Sequence, residues 1–266
     1  MADIRVNTNT LTVVPLRMFF HETEQELASG TGVVYKYEGK LYLITNWHNI
    51  TGENPLTGKP VGEKAGRPDV LVMSFLTSKN PLQWNSCSIQ LYENNTADWL
   101  IHPVHGQLID VVAIEIKPGD DFIGLIYPIN EVKQDEFNPE IADDAYILGY
   151  PFALKGGGNF PIWKKGTIAT EPDINYDGLP KVLIDATCKK GMSGSPVIIR
   201  RNGILTDKSG ELNSKTRVGV FEQFFGIYSG RVQVKDQEDT HLGIVWKKKV
   251  IEEIIKGSKK DDRYFS

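Results

Sequence analysis

The sequence has little cysteine, no long apolar run and no excess of positive charge, and each shortage argues against a class of protein. Only two cysteines, Cys87 and Cys188, occur in 266 residues, whereas a secreted protein of this size often carries several disulfides. We therefore expect two free thiols and a cytoplasmic protein. No stretch approaches the length of a membrane helix, and an early acid, Asp3, does not fit a secretory signal. The formal net charge of −4 argues against a nucleic-acid-binding protein.

The segment from Thr187 to Pro196 contains a serine flanked by glycines, in the order Gly191, Ser193, Gly194. Apolar runs on both sides predict strands that hold a tight turn in place. Glycine adopts backbone angles that other residues avoid, and it leaves the serine uncrowded. Such a turn can direct backbone N–H groups at one point beside a hydroxyl, as a nucleophilic serine with an oxyanion hole requires. An ordinary loop between two strands is the alternative interpretation.

A histidine and an aspartate lie upstream, each at one end of an apolar strand. A hairpin pattern over residues 33–45 leads directly into His48, and loop ends on rigid strands often carry catalytic groups. Asp110 precedes the apolar run 111–114, where a carboxylate is costly unless it is hydrogen-bonded. A histidine N–H is a natural partner for it. For His48 alone, a purely structural role is the alternative.

Metal binding by His102, His105 and Asp110 is a rival interpretation of the second segment. The proline at position 103 does not fit ligands that share one face of a helix, and both cysteines are distant in sequence. We expect neither a metal nor a cofactor.

The order His48, Asp110, Ser193 resembles the triad order of the chymotrypsin fold. The local motifs are similar as well. TNWH, which ends at His48, resembles TAAH; DVVAI, which starts at Asp110, resembles DIAL; and GMSGSP, around Ser193, resembles GDSGGP. The likeness covers residues 28–256 and is greatest to disulfide-poor bacterial trypsin-like peptidases, including the high-temperature-requirement proteases and the glutamyl endopeptidases.

This resemblance implies an all-β fold of two packed six-stranded antiparallel β-barrels with a C-terminal helix. It divides the chain into an N-terminal barrel (1–118) with the histidine and the aspartate, an inter-barrel linker (119–143), a C-terminal barrel (144–246) with the serine, and a C-terminal helix and charged tail (247–266). No peptide-binding domain is expected after the second barrel.

The resemblance also implies a serine endopeptidase that hydrolyses peptide bonds through an acyl-enzyme. Ser193 would be the nucleophile, His48 the general base, and Asp110 the group that orients the imidazole. The backbone N–H groups of Gly191 and Ser193 would form the oxyanion hole.

Substrate recognition is implied for four residues. Thr187 corresponds to the base of the primary pocket, and Tyr228, Ser229 and Gly230 lie on the strand that pairs with substrate. Because Thr187 is neutral, a preference for Lys or Arg lacks its usual acidic partner. Thr187 and Tyr228, with Lys189 or Lys190 nearby, favour a polar or acidic side chain instead. Met192 replaces the aspartate that captures a freed N-terminus in the family's zymogens, so that activation switch is not expected.

The expected partner is a protein or peptide substrate, with no nucleic acid and no membrane. An inactive or partner-activated protein-binding module on the same fold is the alternative, and it would involve an activating protein partner. An esterase or acyl-transfer enzyme of another fold is a third possibility, which the strand residues after Ser193 disfavour.

Overall fold

A computed structural model describes residues 5–61, 66–79, 82–117, 125–206, 211–214, 216–232 and 241–262 of the chain. Most of its regular structure is β-strand, as the all-β prediction requires. Parts of the predicted linker and of the predicted tail lie outside these ranges. Within them, no helix is long and apolar enough to cross a membrane.

Sixteen strands are present in the described residues. In chain order they are β1 (Val13–Phe20), β2 (Gln25–Tyr37), β3 (Lys40–Thr45), β4 (Val70–Lys79), β5 (Leu82–Gln90), β6 (Tyr92–Glu93), β7 (Thr96–Ala97), β8 (Leu100–Ile101), β9 (Val112–Ile116), β10 (Asp144–Gly149), β11 (Ile162–Ile168), β12 (Lys181–Asp185), β13 (Pro196–Leu205), β14 (Arg217–Arg231), β15 (Leu242–Lys247) and β16 (Lys259–Lys260). The α-helices are α1 (Thr8–Leu11), α2 (Trp47–Thr51) and α3 (Lys249–Gly257), and five single 3₁₀ turns occur at His21–Thr23, Ile129–Glu131, Pro151–Ala153, Gly157–Asn159 and Tyr176–Gly178.

The two halves of the chain differ in sheet topology. The C-terminal half is a closed six-stranded barrel in the order β10-β11-β12-β15-β14-β13. The N-terminal half is an eight-stranded antiparallel sheet in the order β16-β8-β9-β3-β2-β1-β4-β5, and β6 pairs with β7 separately. The structure thus corrects the prediction of a six-stranded barrel over residues 1–118. The tail supplies β16 as an extra strand, and β5 and β16 are the two edge strands of this sheet.

β2 and β3 form a hairpin, as the sequence predicts. Glu38 and Gly39 have φ angles of 47° and 80°, and positive φ at both central residues is typical of the type I′ turn that suits the twist of paired strands. β3 then pairs with β9 as far as Thr45 opposite Val112. The segment that leaves β3 and the segment that enters β9 are therefore neighbours.

α3 covers the junction of the two halves with its apolar face. Its buried residues are Val250, Ile251, Ile254 and Ile255. They belong to one hydrophobic cluster with Ile109 and Val111, the two neighbours of Asp110. The same cluster joins Ile44 of the N-terminal sheet to Ile227 of the barrel. Both halves therefore share a continuous core beside the predicted site.

The tail after α3 is more ordered than a charged, solvated segment. Lys259 and Lys260 pair with β8, and the side chain of Asp261 is buried. The chain thus returns to the N-terminal sheet after completing the barrel.

Candidate active site

His48 lies on α2, which directly follows β3. Its Nδ1 is 2.6 Å from Oδ2 of Asp110, and its backbone N–H donates to Oδ1 of the same carboxylate at 2.9 Å. Because an ionised carboxylate only accepts hydrogen bonds, Nδ1 carries the ring proton and Nε2 is left as an acceptor. The side chain of His48 is 15% exposed, so the ring is held firmly without being sealed from solvent.

Asp110 is only 3% exposed, and hydrogen bonds from both halves of the chain compensate its buried charge. In addition to the two bonds from His48, the hydroxyl of Ser229 donates to Oδ2 at 2.5 Å. The backbone carbonyl of Asp110 accepts from Nδ2 of Asn46 at 2.6 Å. The sequence predicts Ser229 as a substrate contact and misses this bond, because 119 residues separate the two partners.

Ser193 lies in the turn between β12 and β13. Its carbonyl accepts from the N–H of Thr31 at 2.9 Å and from Nδ2 of Asn49 at 3.0 Å. Asn49 follows His48 directly, so the backbone of Ser193 is tied to the helix that carries the histidine. Within the described chain, the partly exposed hydroxyl of Ser193 makes no hydrogen bond. Catalytic hydrogen bonds are often long without substrate and tighten only in the complex.

The peptide between Lys190 and Gly191 is held by a hydrogen bond from a residue outside the turn. The carbonyl of Lys190 accepts from the N–H of Phe152 at 2.7 Å, and in a trans peptide the N–H points opposite to the C=O. The N–H of Gly191 is therefore directed away from Phe152, and it has no hydrogen-bond partner among the described residues. Phe152 has a φ of 53°, a strained conformation for a non-glycine residue that costs on the order of 1 kcal/mol. A Cβ on Gly191, whose φ is 91°, would lie 2.3 Å from the carbonyl oxygen of Tyr150.

The peptide between Met192 and Ser193 is fixed within the turn. The carbonyl of Met192 accepts from the N–H of Ser195 at 3.0 Å, so the N–H of Ser193 points the other way. It likewise has no partner in the part of the chain that is described. The two N–H groups predicted to form the oxyanion hole are thus both available as donors.

Two of the predicted substrate residues, Thr187 and Tyr228, differ in their exposure. Thr187 is exposed, and its hydroxyl is 3.3 Å from Nδ1 of His241. Tyr228 is instead 2% exposed within the barrel core, where its ring packs on Gly243. Burial raises the pKa of its hydroxyl, which is hydrogen-bonded to the thiol of Cys188. Tyr228 therefore lies in the barrel core and not on the substrate-facing surface where the sequence predicts it.

Two of the three residues of the alternative metal site, His102 and Asp110, use their side chains in other hydrogen bonds. Nδ1 of His102 accepts from the N–H groups of Val104 and His105, each at 3.2 Å, and Nε2 is 3.1 Å from Oε2 of Glu253. The carboxylate of Asp110 is hydrogen-bonded to His48 and Ser229. Among the described residues, no group of three potential metal ligands comes together.

Comparison with known proteins gives a family match. A family profile described as the trypsin-like peptidase domain matches residues 30–205, more than half of the chain. No curated protein sequence matches. Among solved structures, the active form of the Rv3671c protease from M. tuberculosis is similar over 96% of this chain and 83% of that chain, with 17% identity and a TM-score of 0.47. The inactive form of the same protease is similar over 93% and 89% of the two chains, with 17% identity and a TM-score of 0.44.

Proposed function

The chain belongs to the family of trypsin-like peptidase domains, and on that premise we propose that it is a serine endopeptidase that uses Ser193, His48 and Asp110. One observation carries the proposal. The carbonyl of Ser193 is bonded to the side chain of Asn49 at 3.0 Å, while His48 beside it is bonded to Asp110 at 2.6 Å. The nucleophile turn of one half is thus attached to the histidine–aspartate pair of the other.

The proposed reaction begins with Ser193. Its Oγ attacks the carbonyl carbon of the peptide bond while Nε2 of His48 takes the hydroxyl proton. The tetrahedral oxyanion accepts hydrogen bonds from the N–H groups of Gly191 and Ser193. When the intermediate collapses, His48 delivers the proton to the leaving amine, and an acyl-enzyme remains. Water, activated by the same imidazole, then releases the acid and restores the hydroxyl.

Asp110 stabilises the imidazolium that forms during each half of the reaction. It also holds the Nδ1–H tautomer, without which Nε2 could not accept the serine proton. Ser229 supports this arrangement, because its hydroxyl bonds the same carboxylate oxygen, Oδ2, that contacts the ring.

Substrate backbone would add to β14 beside this carboxylate. β13 pairs with β14 only as far as Ile227, so over Ser229 and Gly230 no further strand lies on that side among the described residues. A peptide in extended conformation can occupy such an edge. Thr187 and His241 form an exposed pair in which neither side chain is acidic. This pair supports a polar or acidic substrate side chain in the primary pocket.

We also propose the finer assignments that the sequence predicts. These are the division into 1–118, 119–143, 144–246 and 247–266, the likeness to bacterial high-temperature-requirement proteases or glutamyl endopeptidases, and a cytoplasmic location. Protein or peptide substrates remain the proposed partners, and an activating protein would be needed only if the isolated chain proved inert.

A fluorophosphonate probe tests the proposal directly. We expect covalent labelling of the wild-type chain at neutral pH in reducing buffer, and none in Ser193→Ala. Ser195→Ala is the matched control, since the Ser195 side chain lies in the same turn, is fully buried and has no hydrogen-bond partner among the described residues. Equal labelling of wild type and Ser193→Ala would refute the assignment. A folded wild-type chain that is not labelled would favour the binding-module alternative.

A further inference from the structure

Thr31 contacts the nucleophile turn from the opposite half of the chain. It is fully buried in β2. Its N–H donates to the carbonyl of Ser193 at 2.9 Å, and its hydroxyl donates to the carbonyl of Gly191 at 2.8 Å. Having one proton, the hydroxyl then accepts from the N–H of Tyr150 at 3.2 Å. One residue thus binds both members of the turn whose amides would hold the oxyanion.

The surroundings of Thr31 are shaped for this contact. β2 pairs with β3 only from Val33 onward, so at Thr31 the edge of β2 meets the turn in place of a strand. The carbonyl of Thr31 accepts from the hydroxyl of Thr45 at 2.8 Å. A Cβ on Gly149 would lie 2.8 Å from Oγ1 of Thr31, and a Cβ on Gly194 would lie 1.9 Å from its carbonyl oxygen. Only glycine at these two positions allows so close an approach.

We propose that Thr31 is a positioning residue that holds the Gly191–Met192 peptide and so keeps the oxyanion-binding amides in their working orientation. The inference rests on the peptidase function proposed above. The peptide that Thr31 holds lies between the two donor amides, those of Gly191 and Ser193. If its carbonyl is released, the peptide keeps, among the described residues, only the bond from the N–H of Met192 to the carbonyl of Lys189 at 3.3 Å, and glycine offers little resistance to its rotation. Met192 is buried and uncharged and cannot anchor the turn by an ion pair, so Thr31 provides the anchor from the opposite half of the chain.

The first experiment compares Thr31→Val with Thr31→Ser. Valine keeps the shape of threonine but lacks the donor, and we expect its rate of fluorophosphonate labelling to fall on the order of 100-fold, as when one oxyanion donor is lost. Serine keeps the hydroxyl and should label within about threefold of wild type. With a peptide substrate selected from a library, kcat should fall in Thr31→Val while KM stays the same, because the lost bond acts on the transition state alone.

Thr12→Val is the matched control for stability. Thr12 is also buried, and its hydroxyl also donates to a backbone carbonyl, that of Asn9, at 2.8 Å. The Thr12→Val variant should lower the unfolding temperature as Thr31→Val does, yet it should leave the rate of labelling unchanged. If Thr31→Val does not fold, Thr31→Cys replaces it, because a thiol is only a weak donor. Its labelling rate should fall below those of wild type and Thr31→Ser, and a folded Thr31→Cys that labels at the wild-type rate would overturn the role of Thr31.

The backbone amides of Gly191 and Ser193 provide a readout that needs no catalysis. Their ¹H–¹⁵N chemical shifts should change in Thr31→Val and remain near wild type in Thr31→Ser. Unchanged shifts, or labelling of a folded Thr31→Val at the wild-type rate, would overturn the role of Thr31. Absence of labelling in wild type, together with the expected change in the amide shifts, would overturn the peptidase function and leave the role of Thr31 intact.

Discussion

The indole N–H of Trp47 donates a hydrogen bond of 2.9 Å to Oδ2 of Asp261, and this bond links the end of the chain to the residue before His48. Both side chains are buried, Trp47 completely and Asp261 to all but 2%. The pairing of Lys259 and Lys260 with β8 brings the carboxylate to this position. The sheet that carries the histidine is thus completed by residues that follow α3.

Replacing Asp261 by alanine should destabilise the protein more than replacing it by asparagine. Alanine leaves the buried indole N–H of Trp47 without this acceptor, at a cost of about 1–3 kcal/mol, whereas asparagine keeps an oxygen in place. Thermal unfolding should show a loss of several degrees for Asp261→Ala, at about 2–4 °C per kcal/mol for a chain of this size.

A double-mutant cycle with Trp47→Phe separates this bond from the other contacts of both residues. The cost of the double variant should be smaller than the two single costs added together, because the double variant removes the indole donor together with its carboxylate acceptor. Strict additivity would show that the bond contributes nothing.

The hydroxyl of Ser229 should matter for the proposed turnover although it is not a member of the proposed triad. Ser229→Ala removes a hydrogen bond to a buried carboxylate, and such bonds contribute about 1.5–3 kcal/mol. If most of this is felt in the transition state, labelling should slow about tenfold or more. Ser74→Ala is a suitable control, since within the described ranges the Ser74 hydroxyl bonds only that of Ser86 on the neighbouring strand. Labelling of Ser229→Ala at the wild-type rate would show that the Ser229 hydroxyl is not needed to hold the Asp110 carboxylate in place.

The features that the sequence predicts correctly are those encoded locally. The hairpin of β2 and β3 follows from two apolar runs around Glu38 and Gly39, and the barrel strands on either side of the Ser193 turn follow from apolar runs bounded by glycine. The two free thiols follow from the low cysteine content and are confirmed. Each of these depends on neighbours along the chain, which is the information that a single sequence carries most clearly.

The features that it misses depend on residues far apart in the chain. A serine on a strand gives no sign that its hydroxyl will meet Asp110, and Lys259-Lys260-Asp261 has the composition of a solvated tail. Only the packing of α3 on the N-terminal sheet turns that tail back and buries its carboxylate. The same event adds β16 to the sheet, a strand that the prediction of six N-terminal strands does not include.

Acid should weaken the contact between α3 and β2. Hydrogen bonds from Lys256 at 2.7 Å and from the hydroxyl of Tyr35 at 2.9 Å hold the pKa of the Glu252 carboxyl below its usual value. At low pH the unfolded chain therefore binds more protons at this group than the folded chain does. The stability it contributes is present above the ordinary carboxyl pKa, about 4.3, and is lost as pH falls through the lowered value.

Urea unfolding of Glu252→Gln at several pH values between 7 and 3 tests this contribution. The variant should be less stable than wild type near neutral pH, by less than about 1 kcal/mol because the side chain is partly exposed, and the difference should vanish at the acid end. Glu171→Gln, at an exposed site with no side-chain hydrogen bond among the described residues, should show no such trend. A difference that is constant with pH would contradict the linkage.

The thiol of Cys188 should take no part in the reaction, although it lies in the same segment as Ser193. A thiolate is the reactive form of cysteine, and burial raises the pKa of both Cys188 and Cys87. Cys188 is 2% exposed, so iodoacetamide should leave it unmodified in the folded protein at pH 8 and modify it in urea. Cys188→Ser keeps a polar partner for the hydroxyl of Tyr228 and should retain fluorophosphonate labelling. Loss of labelling in a folded Cys188→Ser variant would contradict this prediction.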